Sequence, residues 1–200
     1  MARMTGAQAL AEMLQGYGVS HVFMVPAVLR RTFAEMERRT KIKRIHTHGE
    51  KAAAYMADGY ARASGRPGVC MAQVVGALNL AAGLRDAWLA HSPVIAFTGG
   101  RDPKTKFRKV YQEVDDVPAF ETVTKWNATV DDGGAHPRHG AAGVSRRSHR
   151  RARPGASAVS RQRGSGRPGR GRYGAALRAA VCAACRRFAP SPMPRACAQP

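Results

Sequence analysis

The stretch KRIHTHGEKAAAYMADGYARASGRPGVCMAQ, Lys43 to Gln73, changes its period twice. Lys43 to His46 suits a short strand, and Gly49 to Ser64 then carries Ala53, Ala54, Ala57 and Ala61 on one helical face, a small-residue stripe that permits close packing. Gly65 and Pro67 stop that helix. Gly68 to Gln73 is apolar up to its last residue, as strands of a parallel sheet covered on both faces are. Strand, helix and strand with short joints make a βαβ unit.

The flanking sequence repeats the pattern. Thr5-x-x-Gln8 has the form of a capping box, and Leu10, Met13, Leu14 and Tyr17 follow at i, i+3, i+4 and i+7, so a first amphipathic helix ends near Gly16 or Gly18. His21 to Val25 reads as a strand ended by Pro26, and Leu29, Phe33 and Met36 give the next helix its apolar stripe. Downstream, Gly76 to Ala90 is helical with Leu80, Leu84 and Trp88 in register, and Pro93 to Thr98 is a second strand, apolar up to its last residue. The fold class is α/β, an open parallel sheet with helices on both faces. In such sheets ligands sit beyond the carboxyl ends of the strands. The joints at Pro26, Thr47 to Glu50, Gln73 to Gly76 and Thr98 to Arg101 should therefore converge on one edge.

Composition divides the chain of 200 residues near Val130. Residues 1–130 hold 18 basic and 11 acidic side chains, whereas residues 131–200 hold 15 basic and 2 acidic ones, and the latter contain no Lys, Ile, Thr, Asn or Trp. Their large aliphatic and Phe positions are Val144, Val159, Leu177, Val181 and Phe188, too few to offset an ordering entropy of about 1–2 kcal/mol per residue. Residues 131–200 are therefore expected to be disordered. A basic arm would bind phosphates and lose affinity with salt, and Arg161 to Arg172 superficially resembles an RG-rich RNA-binding segment. Arg, Gly, Ala, Pro and Ser without Lys or Ile is also what a GC-rich gene encodes out of frame, and the abrupt break favours that origin. Gly164-x-Gly166-x-x-Gly169 follows no strand and opens no helix, so it is a chance match to the dinucleotide fingerprint. Cys182 and Cys185 have the spacing of half a zinc site, but Cys197 and His149 do not complete it, and no metal site is assigned. With Cys70 these are the only cysteines, and no disulfide framework is expected.

Length admits one domain, or a domain with a tail. No window approaches the roughly 18 consecutive apolar residues that span a bilayer, and Met1 to Gln15 carries Arg3 and Glu12 without a compact apolar stretch. No membrane association is expected, and a cytoplasmic location is the default.

Several ordered segments together carry a resemblance. They are His48 to Arg62, Gly65-Arg66-Pro67-Gly68-Val69, Asn79-Leu80, and Ser92 to Gly99. From about Met4 to Val130 the chain resembles the N-terminal pyrimidine-binding domain of thiamine-diphosphate enzymes of the acetolactate-synthase type. The resemblance implies thiamine diphosphate as cofactor and decarboxylation or carboligation of a 2-oxo acid. It implies that Glu50 hydrogen-bonds N1′ of the aminopyrimidine, favouring the tautomer whose 4′ nitrogen takes a proton from the thiazolium. A burial site that raises the carboxyl's proton affinity would suit that relay. A plainer role for Glu50 is to complement the dipole of the helix it opens, worth about 0.3–1 kcal/mol.

The same resemblance places Gly76 and Asn79 in the family's Gly-Pro-Gly-x-x-Asn turn beside the cofactor, with Val74 and Val75 replacing the first Gly and Pro. Pro26 matches the Gly-Val-Pro-Gly turn, with Met24 and Ala27 replacing both glycines. Tyr111-Gln112-Glu113-Val114-Asp115 resembles the Phe-Gln-Glu segment at the active-site entrance, Gln112 being the expected substrate contact and a solvated loop the alternative. His46 and His48 are candidate general acids or plain surface residues. Arg101, Lys104, Lys106, Arg108 and Lys109 could neutralise an anion or form a solvated loop.

In the family, Mg²⁺ and the cofactor's diphosphate are held by a separate domain with a Gly-Asp-Gly motif and a downstream Asn, contributed across a homo-oligomer interface. No such motif is found here. The expectation is thus a truncated, frameshifted chain, with residues 1–130 as the pyrimidine-binding domain and residues 131–200 as an out-of-frame tail, inactive alone. The alternative class is a non-enzymatic binding protein whose Arg-rich tail engages nucleic acid, a partner not otherwise expected.

Overall fold

Thr5 opens the first helix with both hydrogen bonds of a capping box. Its hydroxyl accepts from the Gln8 N–H at 3.2 Å, and Gln8 Oε1 accepts from the Thr5 N–H at 2.9 Å. Two of the orphan donors at that terminus are thereby satisfied. From this start, a computed structural model describes residues 5–27, 29–100, 107–130 and 157–163. Its elements are α1 (Gly6–Gly16), β1 (His21–Met24), α2 (Arg30–Arg39), β2 (Lys43–His46), α3 (Glu50–Ser64), β3 (Gly68–Ala72), α4 (Gly76–Leu89), β4 (Val94–Gly100), α5 (Val117–Glu121), β5 (Trp126–Val130) and β6 (Ser157–Arg163).

The strands form one parallel sheet in the order β2-β1-β3-β4-β6-β5. Side chains alternate across it and so divide the core in two. Val22, Met24, Val69, Met71, Ile95 and Phe97 pack with α1 and α2, while Phe23, Cys70, Ala72, Val94 and Ala96 pack with α3 and α4. The expected α/β class, with helices on both faces, is the observed one.

On the second face the helices come unusually near one another. Ala53, Ala54, Ala57 and Ala61 are buried on α3, and a Cβ on Gly83 of α4 would lie 2.7 Å from the Ala54 Cβ and 2.8 Å from the Lys51 carbonyl oxygen. Real Cβ atoms do not pack so closely, so α4 can lie there only because position 83 has no side chain. At the far end of α3, Arg62 donates to both carboxylate oxygens of buried Asp58 at 2.9 and 2.6 Å, a bidentate pair along one helix face. Tyr55, Met56, Leu78 and Leu89 of this helix pair remain exposed.

Two strands lie beyond those that periodicity identifies. β5 begins at Trp126, and β6 falls within residues 131–200, where composition announces no element. β6 pairs with β4 from Val94↔Ser157 to Gly100↔Arg163. The remaining expectations for the tail, including Gly164, Gly166, Gly169, His149, Cys182, Cys185 and Cys197, lie outside the described residues. Among the described residues no helix is long and apolar enough to cross a membrane.

Chain direction reverses between β1 and β3. From β1 the chain runs outward through α2 to edge strand β2, then crosses back over β1 through α3 to β3. At such a switch point open α/β sheets have the crevice that takes ligands, and the joints after β1 and β3 flank it.

Replacing Ala54 by Leu forces three additional carbon atoms into the contact with Gly83. Overpacking of this kind costs roughly 1–3 kcal/mol, to be read as a lower urea midpoint with an unchanged m-value. Cys70 is fully buried, and burial pushes its thiol up out of the range where thiolate forms. Iodoacetamide should leave Cys70 unlabelled in the native chain by peptide mapping and modify it once denaturant is added.

Candidate functional site

The turn that aims Glu50 is fixed by a threonine. Thr47 donates its N–H to the Met24 carbonyl at 3.0 Å and its hydroxyl to the Gly49 carbonyl at 2.9 Å. The end of β2 is thus clasped to the end of β1, and the chain enters α3 with Gly49 extended. Glu50, the first helical residue, leaves that turn half-buried, not buried.

Its carboxylate points at the beginning of α4. Asn79 donates from Nδ2 to Glu50 Oε2 at 3.2 Å. A Cβ on Gly76 would overlap Oε1, Cδ and Cγ of the same side chain. The glutamate therefore occupies the volume a side chain at position 76 would take. The Glu50 carboxylate thus lies where α3 and α4 both begin, a place where acidic side chains complement helix dipoles. Dipole complementation and ligand binding are consequently compatible roles for Glu50.

Val74 and Val75 do not disrupt this turn. Val74 is fully buried, and the Ala77 and Leu78 N–H groups donate to the Val74 and Val75 carbonyls at 3.2 and 3.3 Å. The first turn of α4 forms with β-branched residues because Val75 has helical backbone angles. Likewise, neither Met24 nor Ala27 lies at positive φ, so the segment before and after Pro26 needs no glycine. Pro26 is exposed at the same edge, beyond the end of β1.

Of the residues singled out in the sequence, Glu50, Gly76 and Asn79 are thus brought into contact. Gln112 stands apart from them, on an open cleft of about 790 Å³. That cleft runs between Gln73 and Val75 of the β3–α4 joint and residues 107–114 except Arg108. His46 and His48 are exposed at the edge, as are Arg108 and Lys109, while Arg101, Lys104 and Lys106 lie outside the described residues. Sequence reasoning passes over Thr47, although Thr-x-Gly after a strand is a recognisable turn signal. Glu113 it names only within the entrance segment, because its partners are backbone amides that leave no mark in the sequence.

Residues 4–119 match the family model described as thiamine pyrophosphate enzyme, N-terminal TPP binding domain. The chain belongs to the thiamine pyrophosphate enzyme family. It is 38% identical over 125 residues to a probable acetolactate synthase large subunit of Methanocaldococcus jannaschii, covering 62% of this chain and 21% of that protein. It is 38% identical over 118 residues to an acetolactate synthase of Arthrospira platensis, covering 56% of this chain and 20% of that protein. With a chloroplastic acetolactate synthase of Arabidopsis thaliana it shares 35% identity over 129 residues, covering 64% of this chain and 19% of that protein. The chain therefore spans about a fifth of the length of these thiamine pyrophosphate enzymes.

Gly76→Ala separates packing from binding at this site. The displaced atoms belong to a half-exposed side chain that can swing outward, and alanine is the better helix former by up to about 1 kcal/mol. Thermal stability should hold or rise slightly in the variant, while affinity for thiamine diphosphate, followed by calorimetric titration, falls at least tenfold.

Proposed function

We propose that residues 1–130 hold the aminopyrimidine end of thiamine diphosphate, with Glu50 as the carboxyl that hydrogen-bonds its ring. The domain would form half of an active site acting on 2-oxo acids in the manner of acetolactate synthase. The observation that carries this proposal is the Glu50 carboxylate seated against side-chain-free Gly76 and held by Asn79 at 3.2 Å.

The residues fit a ring that must exchange a proton. Asn79 restrains one carboxyl oxygen, which fixes the plane of the group. The other oxygen lies by Gly76, where no side chain screens it. Glu50 can then donate or accept a proton at a fixed place, as general acid–base chemistry requires. Thr47 keeps the helix start from drifting, and Pro26 borders the crevice from the β1 side. When bound, the cofactor supplies the electron sink for a 2-oxo acid's carbonyl carbon.

The complementary half belongs, in this proposal, to a diphosphate-binding domain holding Mg²⁺, brought up by homo-oligomer assembly in a soluble, cytoplasmic setting. Residues 131–200 are then an out-of-frame tail, a view resting on the compositional break after Val130. The isolated chain would have no turnover.

The decisive variant is Glu50→Gln, which keeps size and one acceptor but cannot pass the proton. With a separately supplied diphosphate domain, wild-type chain should give thiamine-dependent consumption of pyruvate, and the variant should lose about 10²–10⁴-fold in kcat with unchanged circular dichroism. Full activity in the variant would overturn the assignment. The origin of the tail is checked on the gene, where a shift of one or two bases near the Val130 codon should open a frame encoding Ile, Leu and Glu.

A further inference from the structure

Three non-glycine residues in one short loop sit in the left-handed region, Phe107 at φ 67°, Lys109 at φ 49° and Gln112 at φ 61°. L-residues avoid that region because Cβ crowds the backbone, so something must hold the loop there. Glu113 does so. One carboxylate oxygen accepts the Phe107 N–H, the other accepts the Val110 N–H at 3.1 Å, and the Glu113 N–H closes the turn on the Val110 carbonyl at 2.9 Å. Hydrogen bonds to an ionised acceptor are stronger than neutral ones, and here both oxygens work on backbone a few residues away.

The loop so held forms the outer wall of the cleft whose inner wall is Gln73 and Val75, just ahead of Gly76. Gln112, next to Glu113, lies on that wall with its amide 3.4 Å from the Tyr111 hydroxyl. Its left-handed φ lies inside the turn that the Glu113 N–H closes on the Val110 carbonyl. We propose that Glu113 is a positioning residue for substrate selection, setting the backbone that presents Gln112 and Tyr111 to the acyl end of a 2-oxo acid. This inference rests on the function proposed above, since only that function gives the cleft a 2-oxo acid. A free carboxylate on a loop with Arg108 and Lys109 would ordinarily turn outward to them; here it turns to the main chain.

The test uses the full chain, wild type and Glu113→Ala and Glu113→Gln, by amide-resolved NMR. Hydrogen exchange at Phe107 and Val110 should accelerate at least tenfold in Glu113→Ala while Val69 to Ala72 and Val94 to Thr98 are unchanged. Glu113→Gln, with a single carbonyl acceptor, should protect one of the two amides and not both. Pyruvate added to wild type should shift the Gln112 side-chain amide, with at least tenfold weaker affinity in Glu113→Ala and partial recovery in Glu113→Gln. Unaltered exchange at both amides overturns the pinning. Faster exchange with unaltered pyruvate affinity makes Glu113 a structural clasp only and overturns its role in selection. Absence of any pyruvate shift in wild type also overturns it, whereas the loss of turnover in Glu50→Gln stands or falls separately.

Discussion

Close approach of α3 and α4 is the constraint on which the site depends. Small residues on both helices let their axes come together, and both begin at the same edge of the sheet. A glutamate at the start of one can consequently reach a glycine and an asparagine in the first turn of the other. Wider spacing would leave Glu50 in water, with only its own helix for a partner. Packing in the interior thus sets the distance across which polar groups meet at the rim.

That dependence explains why so much of the centre was legible in the sequence. Alanines at helical spacing, apolar runs between glycines and prolines, and a threonine cap are signals that act locally or through periodicity, and Lys43–His46 and Gly76–Leu89 appear where those signals put them. Resemblance to a family added what periodicity lacks, namely that Glu50, Gly76 and Asn79 belong together. The Glu50–Asn79 bond spans 29 residues of sequence, and no propensity predicts such a pairing.

What was not legible is equally specific. Nothing in the family's Gly-Pro pattern announces that valines serve at positions 74 and 75, yet the helical backbone of Val75 accepts valine and Val74 is buried in the core. Expected burial of Glu50 gave way to half-burial, since the first residue of α3 sits at the rim of the sheet and not in either core cluster. The backbone role of Glu113 leaves no pattern, since main-chain donors are common to every residue type but proline. β6 shows the same limit from another side: a parallel strand inserted between two others draws on peptide groups, to which composition is blind.

The outermost strand carries a further consequence. β2 is four residues long, with Lys43 and His46 exposed and Arg44 partly so. Short length and cationic side chains are the usual means of stopping a free row of peptide groups from recruiting a neighbour's strand. Growth of the sheet into a ladder of copies is discouraged along this margin, and crowding of chains during synthesis meets a charged fringe where an adhesive one could have stood.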